Sequence, residues 1–444
     1  MTLTAVHLGM DDIDSPRGGC TTHFASLLVE VLTELGARWL DYPNLIRLNP
    51  NIPYRTRGNG AVTLRFKIEA SAVDKVLPSS NLLLKEYLKE EYPNTNPGMV
   101  IATGDVPVDL LGFSNLALWR TVPVALARRL VAELALSHIA LGNGRGLIGA
   151  LSAIGNQLRQ DHTYEYIAYR SIELTSRARG VDVDSVFKMN QKFGNRLFSN
   201  VDITTQKILI EPHGPDPVIY GIRGETPLDV IKAANLIHSS QDKERWMVFR
   251  TNQGTGEHLR HRVHLSDIRP YMAAVVKGEV TTKPKIIEGG HVIFKITDGS
   301  AIAECAVYEP TGEFREIATM LTEGDKVSLD VGVRPASRIH GLTLNVEGLE
   351  ILQLTDKPIL ANPICPHCLK RMKSAGKEKG FKCIKCGFKD PQAKKIEIPV
   401  ERQLKVGRYL PPPRAQRHLT RPKDRMNRIN NGIPNNLVDK WYEP

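Results

Sequence analysis

The order of apolar and polar positions predicts that the chain begins with a strand, a polar loop and a helix. Residues Thr4–Met10 are mostly apolar and β-prone, and the turn-forming stretch Asp11–Gly19 ends this pattern. From Thr21 onward apolar residues recur at helical spacing up to Leu35, and Gly36 stands where a helix commonly ends. The loop between strand and helix therefore holds a cluster of acidic and glycine residues.

Two further loops separate the elements that follow. Residues Asp41–Gly60 are rich in Pro and Asn and precede the strand-like stretch Ala61–Ile68, which favours a long functional loop over a linker. The spacing over Val122–Ile139 predicts a second helix, and the glycine-rich stretch Gly142–Gly146 comes next, before an apolar run that reaches Gly155. We expect this second loop to lie at the start of another helix.

The middle of the chain predicts two more folding units. Residues 201–268 place strand-like runs around one helical segment, Pro227–His238, which indicates a small α+β unit. Residues Met272–Leu354 contain about five β-rich stretches and one helical insert at Gly312–Leu321. Five strands with a helix between the third and the fourth are typical of an OB fold. Such barrels bind oligonucleotides, but they also serve as docking modules.

Four of the six cysteines form two closely spaced pairs. Cys365 and Cys368 are separated by 14 residues from Cys383 and Cys386. Two such pairs supply four thiolates that close tetrahedrally on one metal ion, so the spacing predicts a zinc ribbon whose zinc is structural. An iron cluster or free thiols are the alternatives. His367, inside the first pair, is expected to be a loop residue or an RNA contact.

Basic charge is concentrated at the C-terminal end. Residues 361–444 hold 20 Lys and Arg against 7 Asp and Glu, whereas the whole chain holds 59 against 48. This asymmetry indicates contact with a polyanion, since cations beside phosphates gain affinity by releasing counterions. A solvated basic tail without a partner is the alternative. The candidate RNA-binding residues are loop arginines and two cations of the ribbon: Arg47, Arg55, Arg57, Lys370 and Arg371.

The bulk properties predict a soluble, multi-domain protein. A length of 444 residues, with 24% charged residues, suits about two to four domains. No run of about 18 apolar residues occurs, and Met1–Gly9 lacks the order of a secretory signal. We therefore expect a cytoplasmic protein in a reducing compartment, with no membrane partner.

The acidic loop after the first strand carries the best catalytic candidates, which are Asp11, Asp12 and Asp14. Crowded carboxylates repel one another unless a cation neutralises them, and Mg²⁺ held by carboxylates and phosphate oxygens is usual in nucleotide chemistry. The helix start beyond the loop can present amides and a positive dipole end to a phosphate. A plain polar turn is the alternative. The candidate phosphate contacts are Gly18, Gly19, Thr22, Arg145 and Gly146.

Two nucleotide-binding motifs are excluded, and one acidic pair is left open. Residues 144–149 match GxGxxG by letter, but a predicted helix precedes them where a dinucleotide fingerprint needs a strand. The chain has no GxxxxGK[ST] sequence, hence no P-loop. Asp161 and Glu165 would share one face if they lay on a helix, and could then hold a cationic substrate. A solvated face explains them equally well.

Beyond these local patterns, the chain resembles the archaeal tRNA(Ile) 2-agmatinylcytidine synthetases. The resemblance runs nearly end to end, and its motifs occur in order, so their coincidence by chance is negligible although each alone is weak. It is carried by residues 9–15 (GMDDIDS), 20–22 (CTT), 47–50 (RLNP), 57–62 (RGNGAV), 144–149 (GRGLIG), 167–170 (IAYR), 220–225 (YGIRGE), 251–252 (TN) and the cysteine ribbon.

The resemblance implies a ligase that modifies tRNA. ATP would activate the C2 oxygen of the wobble cytidine of tRNA(Ile) through a phosphorylated intermediate, and agmatine would then displace the phosphate. The three aspartates would serve Mg²⁺ and ATP, and Thr21 would become autophosphorylated. Asp161, Glu165 and Asp202 are the carboxylate candidates for binding agmatine or accepting its proton.

The implied fold class is a multi-domain α+β protein. Its expected parts are a kinase-like α/β domain (1–198), a ferredoxin-like domain (199–268), an OB-fold barrel (269–356), a zinc ribbon (357–394) and a basic C-terminal tail (395–444). A single-stranded nucleic-acid-binding protein without catalysis is the main rival, but it leaves the acidic loop unexplained. An ATP-dependent RNA ligase or kinase acting on RNA ends is a second rival.

Overall fold

The computed structural model describes residues 2–15, 17–56, 58–88, 95–338, 340–356, 359–376, 378–398 and 402–444. Strands and helices alternate through the first 251 residues. They are β1 (Leu3–Asp11), α1 (Thr21–Glu34), β2 (Arg38–Trp39), β3 (Asn44–Arg47), β4 (Gly60–Glu69), α2 (Val73–Tyr87), β5 (Gly98–Thr103), α3 (Val108–Ala117), α4 (Val124–Glu133), β6 (Ser137–Ala140), α5 (Gly146–Gly155), β7 (Thr163–Tyr169), α6 (Val183–Phe193), β8 (Val201–Asp202), β9 (Lys207–Ile208), β10 (Val218–Gly224), α7 (Pro227–Ala234) and β11 (Arg245–Thr251).

One mixed sheet runs through this whole region. Its strand order is β10-β7-β11-β3-β4-β1-β5-β6, with β2 added on β4. The parallel pairing of β11 with β3, in register at Arg250 and Asn44, joins the two halves of the sheet. Strand β7, which precedes residue 198, lies between β10 and β11. The unit drawn at 199–268 from the sequence therefore shares its sheet with earlier residues.

The sheet carries a hydrophobic core on each face. Val6 and Leu8 of β1 pack with Phe24 of α1 in one core, whereas α3, α4 and α5 enclose a second core on the other face. Gly9 of β1 points to the second face, where an added Cβ would lie 2.2 Å from the backbone oxygen of Ala150 in α5. Only glycine allows this approach, which brings α5 onto the end of β1.

The second predicted helix is shorter than the sequence indicates. Helix α4 covers Val124–Glu133, Ala135 then adopts a left-handed φ of 48°, and Ser137–Ala140 forms edge strand β6 beside β5. The prediction of one helix over Val122–Ile139 is therefore wrong at its C-terminal end. Apolar residues continue at helical spacing there, but pairing with β5 decides the conformation, which local periodicity does not reveal.

The next unit is a closed five-stranded barrel, as the sequence predicts. Strands β12, β16, β17, β15 and β14 follow one another, and the pairing of β14 with β12 closes the ring. Helix α8 lies between the third and fourth of these strands along the chain. The elements are β12 (Ala273–Val280), β13 (Lys285–Ile286), β14 (Val292–Thr297), β15 (Ile302–Val307), α8 (Glu313–Thr319), β16 (Lys326–Arg334) and β17 (Thr343–Gln353).

A small zinc-ribbon unit and a long C-terminal segment complete the chain. The ribbon holds a three-stranded sheet around a core of Met372, Phe381 and two of the cysteines. The last strands are β18 (Ile359–Ala361), β19 (Lys373–Ser374), β20 (Phe381–Lys382), β21 (Lys389–Asp390), β22 (Ile396–Ile398), β23 (Gly407–Tyr409) and β24 (Tyr442–Glu443). None of the helices in the described part of the chain is long and apolar enough to cross a membrane.

The C-terminal segment, residues 402–444, lies against the fold, so the alternative of a solvated basic tail is wrong. Strand β23 pairs with β17 of the barrel, and β24 pairs with β11 of the main sheet. Trp441 is buried in the first core together with the neighbouring Tyr42. We call residues 402–444 the C-terminal strap, because they run from the barrel to strand β11 of the main sheet.

Candidate active site

The first two aspartates of the acidic loop lie at the end of β1, against the start of α5. Asp12 has a left-handed φ of 59°, and its Oδ2 accepts hydrogen bonds from Nε and Nη2 of Arg145 at 3.2 and 3.1 Å. A Cβ on Gly149 would lie 1.9 Å from Oδ2 of Asp11, so this glycine makes room for the carboxylate. The predicted metal ligand and the predicted phosphate contact thus pair with each other.

Burial shapes the charge of both aspartates. It raises the pKa of Asp11 well above its ordinary value, and the neighbouring Asp12 adds to the effect. It also raises the pKa of Asp12 to about 6, against the opposing charge of Arg145. Two buried carboxylates that resist joint ionisation suit a divalent cation, whose charge would let both ionise. The donor set therefore fits Mg²⁺.

A cavity of about 330 Å³ opens beside these aspartates. Its lining includes the charged groups of Asp11, Asp12 and Arg145 and apolar side chains such as Val122 and Ile148. Tyr54 lies at the rim, 71% exposed, with the guanidinium of Arg145 5.7 Å from its ring centre. A lining that combines charged and apolar groups suits a ligand with a phosphate end and a flat base.

Asp14 and Thr21 face a second cavity, of about 420 Å³. The hydroxyl of Thr21 donates to Oδ1 of Asp14 at 3.3 Å, at the first turn of α1. Thr22 and Cys20 line the same cavity. Thr56 and Gly60 line both cavities, which therefore adjoin. The fold thus separates the predicted aspartates: Asp11 and Asp12 face one cavity, and Asp14 faces the other.

The predicted phosphate-binding glycines make contacts within the fold. The amide of Gly18 donates to the backbone oxygen of Ser15 at 3.3 Å and so closes a turn. A Cβ on Gly146 would lie 2.3 Å from the backbone nitrogen of Gly98, so this glycine seats the first turn of α5 against β5. Within the described residues, neither Gly18 nor Gly19 lines either of the two cavities.

Glu165 lies on a strand and not on a helix, so Asp161 and Glu165 do not share one helix face. It lies on β7, and its carboxylate in the second cavity is 3.7 Å from Nη2 of Arg47 and 3.4 Å from Nε of Arg223. Gln253 also donates to it from Nε2. Two arginines and an amide therefore already surround this carboxylate.

The other two acidic candidates bind the C-terminal strap. Asp161 accepts hydrogen bonds from Arg421 at 2.6 Å, from Arg425 at 3.2 Å and from the backbone amide of Asn430 at 3.0 Å. Asp202 lies 2.7 Å from Nη1 of Arg414. These arginines occupy the oxygens that a guanidinium ligand would need.

The four cysteines of the ribbon converge as their spacing predicts. The sulfur atoms of Cys365, Cys368, Cys383 and Cys386 all lie within 4.8 Å of one another. Four thiolates at this separation suit one tetrahedral zinc ion with no position left for water. His367 instead packs on Phe388, with ring centres 4.6 Å apart.

The candidate RNA contacts in the described residues lie at three places, of which the second cavity holds Arg47 beside Glu165. Arg55 lines a groove of about 440 Å³ between the loop 50–55 and the barrel, together with Arg334 and Arg417. Lys370 and Arg371 are exposed on the ribbon. Arg57 lies outside the described residues.

Comparison with known proteins decides the family. The model of the "TiaS TCKD domain" matches residues 7–141, that of the "TiaS FLD domain" residues 144–258, and that of the "TiaS C-terminal zinc ribbon domain" residues 362–404. The 2-agmatinylcytidine synthetase TiaS of Staphylothermus marinus, which acts on an isoleucine tRNA, is 43% identical, over 100% of this chain and 99% of its own length. This chain belongs to the TiaS family.

Solved TiaS structures share the whole fold. A crystal structure of TiaS in complex with its isoleucine tRNA and ATP superposes with a TM-score of 0.85 at 37% identity, covering 97% of this chain and 99% of that chain. A complex of TiaS with the same tRNA, AMPCPP and agmatine superposes with a TM-score of 0.82 at 34% identity and the same coverage. The TiaS fold thus includes the C-terminal strap as well as the sheet, barrel and ribbon.

Sequence reasoning missed two parts of this TiaS site. The strap contributes residues 413–420 to the second cavity, among them His418 and Arg417. Glu211 also lines that cavity and makes no hydrogen bond or ion pair within the described part of the chain. The arginines of the strap are spread evenly among prolines and do not form a run of like charge. This spacing was the available sequence signal that the segment packs on the fold. No sequence pattern marked Glu211.

Proposed function

We propose that this chain is an ATP-dependent ligase that replaces the C2 oxygen of the wobble cytidine of tRNA(Ile) by agmatine. Full-length relatives carry the name of this activity, and TiaS complexes contain an isoleucine tRNA with ATP or with AMPCPP and agmatine. The single structural observation that carries the proposal is the pair of adjoining cavities around the acidic loop. A cytidine oxygen leaves poorly, so its replacement needs prior phosphorylation, which two adjoining sites allow.

The smaller cavity is the proposed ATP site. Asp11 and Asp12 would hold Mg²⁺ there, which would neutralise phosphate charge. Arg145, which pairs with Asp12 here, would contact a phosphate oxygen. Tyr54 and the apolar side chains of the cavity would contact the adenine base of ATP.

The larger cavity is the proposed site of the cytidine and agmatine. Thr21 is the proposed autophosphorylated residue, and Asp14, which accepts its hydrogen bond, holds the hydroxyl toward the cavity. Glu165 keeps Arg47 and Arg223 in place, where their charge receives a phosphate. Among the acidic candidates, Asp161 and Asp202 hold the strap.

Glu211 is the proposed partner of the agmatine guanidinium. It faces the second cavity, whereas Glu165, Asp161 and Asp202 are each already paired with arginine. A guanidinium gains most from a carboxylate whose oxygens are open to a two-point contact.

We further propose that the units keep the roles expected of them. These are an N-terminal kinase-like domain, a ferredoxin-like domain that includes β7 as well as β10 and β11, an OB fold (269–356) and a zinc ribbon (357–394), with tRNA bound along the ribbon and the basic groove at Arg55. The enzyme is expected to act in the cytoplasm, where its tRNA is found.

One assay tests the activity directly. The protein is incubated with the isoleucine tRNA transcript, ATP and labelled agmatine, and the nucleosides are identified by mass spectrometry after digestion. Agmatine attached to the wobble cytidine is the expected result. Unchanged cytidine, with tRNA bound at full affinity, would mean that the chain binds nucleic acid without modifying it.

A further inference from the structure

The C-terminal strap places a histidine in the second cavity. The backbone oxygen of His418 accepts a hydrogen bond from the amide of Gly254 at 2.9 Å, and that of Leu419 accepts one from Gly256 at 2.7 Å. The loop after β11 therefore holds this part of the strap along two successive backbone contacts. The imidazole of His418 is exposed to the cavity that Asp14 and Thr21 line.

A hydrogen-bonded chain fixes which ring nitrogen of His418 carries a proton. Glu165 lies between two guanidinium groups, which only donate, so its carboxylate oxygens accept hydrogen bonds. Gln253 must then turn its NH2 group toward Glu165 and its oxygen toward His418. That oxygen lies 3.0 Å from Nδ1 of His418, and a carbonyl oxygen only accepts. Nδ1 is therefore the protonated nitrogen.

The other ring nitrogen is left as an acceptor. Removal from bulk water, then the charges of Arg47, Arg223, Arg55 and Arg417, hold the pKa of His418 well below its ordinary value. The ring is therefore neutral, and Nε2 keeps its lone pair.

Gly58 makes room for this nitrogen. A Cβ at Gly58 would lie 2.8 Å from Nε2 of His418 and 2.6 Å from Nη1 of Arg47. Glycine thus leaves the acceptor and a cation side by side at the cavity wall.

We propose that Nε2 of His418 accepts the proton that the amine of agmatine releases as it attacks C2 of the phosphorylated cytidine. This inference rests on the proposed function. In the balanced step the C2–N bond forms, the C2–O bond to the phosphate breaks, the phosphate leaves with the bonding electrons, and one N–H proton passes to Nε2. The Gln253–Glu165 pair holds the ring in the accepting tautomer.

The same arginines that keep His418 neutral also act on the attacking amine. Their charge disfavours an ammonium ion nearby, so it favours the free amine that can attack. Once the amine has added to C2, its N–H protons are strongly acidic, and a weakly basic imidazole is sufficient to remove one. Release of the phosphate toward Arg47 and Arg223 then completes the exchange.

Two variants separate proton transfer from packing. His418→Asn keeps an N–H group for the oxygen of Gln253 but has no acceptor at the position of Nε2. His418→Ala removes the whole ring and leaves space that free imidazole can fill. Each variant is assayed in single turnovers for two events: transfer of label from ATP to the isoleucine tRNA, and incorporation of labelled agmatine.

Wild-type protein performs both events. We expect His418→Asn to label tRNA from ATP at the wild-type rate but to incorporate agmatine at least about 100-fold more slowly. Added imidazole should restore incorporation to His418→Ala. The inference would be overturned if His418→Asn incorporated agmatine at the wild-type rate. It would also be overturned if imidazole did not restore agmatine incorporation to His418→Ala. If the wild-type protein itself incorporates no agmatine, the proposed function fails and the inference fails with it.

Discussion

The guanidinium of Arg425 lies 3.2 Å from Oδ1 of Asp161, which precedes it by 264 residues in the chain. Arg425 also contacts Glu225 at 2.7 Å, and its side chain is fully buried. The strap repeats this pattern along its length, since Arg402 pairs with Asp325, Arg408 with Asp330 and Arg414 with Asp202. Much of its basic charge therefore holds the strap to the body and is not available to RNA.

Replacing Arg425 should destabilise the protein strongly. Arg425→Ala removes the buried arginine that contacts Glu225 and one of the two arginines that contact Asp161, and breaking a buried ion pair costs about 3–5 kcal/mol. Urea denaturation measures the change in the free energy of unfolding. Lys423→Ala, two residues earlier and exposed, is the matched control and should change it by less than about 0.5 kcal/mol. Equal stability of the two variants would mean that the strap is not held through Arg425.

Removing the charge of Asp12 should abolish ATP turnover. Asp12→Ala takes one of two carboxylates from the proposed Mg²⁺ site, while the ribbon and the groove at Arg55 are untouched. ATP consumption should fall to background, and tRNA affinity should stay within about twofold. Asp109→Ala, exposed on α3, serves as the control with full turnover. Normal turnover in Asp12→Ala would refute the assignment.

Neutralising Glu211 should weaken agmatine binding selectively. Glu211→Gln keeps the shape of the side chain but removes the charge that faces the guanidinium, which is worth about 1.5–3 kcal/mol for a charged hydrogen bond. The KM for agmatine should rise at least tenfold, while label transfer from ATP to tRNA continues. Glu173→Gln, on an exposed residue, should leave both unchanged. An unaltered KM would mean that Glu211 does not bind the guanidinium, and Glu165 would then be the candidate partner.

Loss of one ribbon thiolate should release the metal. Cys383→Ser leaves three sulfur ligands, which cannot close the tetrahedral site, so zinc content should fall from about one per chain to near zero. Atomic absorption measures it. His367→Ala should keep its zinc, because His367 packs on Phe388. Full zinc content in Cys383→Ser would exclude the four-cysteine site.

The exposed ribbon cations should contribute to the salt dependence of tRNA binding. Removing a cation that neutralises one phosphate lowers the slope of log K against log salt by about one. We expect this for Lys370→Ala and for Arg371→Ala. Binding titrations at several salt concentrations measure the slope, and Arg408→Ala, whose partner is Asp330, should leave the slope unchanged. Equal slopes in all variants would place the tRNA contacts elsewhere, such as the groove at Arg55.

The sequence by itself determined the features that depend on neighbours in the chain. Cysteine spacing defined the ribbon, the order of β-rich runs with one helical insert defined the barrel, and the break after Met10 located the acidic loop and α1. The ribbon and the acidic loop follow from spacing over few residues, whereas the barrel was predictable because the order of its elements is typical of the OB fold.

Only the tertiary structure decided what the charges do. The pairing of Asp161 with Arg425, the separation of Asp14 from Asp12 into adjoining cavities, and the position of His418 beside Gly58 all join residues far apart in the chain or on opposite sides of one loop. The sequence alone does not distinguish an arginine that pairs with a buried carboxylate from one that binds a phosphate. Their roles differ because burial and a fixed partner, which periodicity does not encode, determine where each charge is stable.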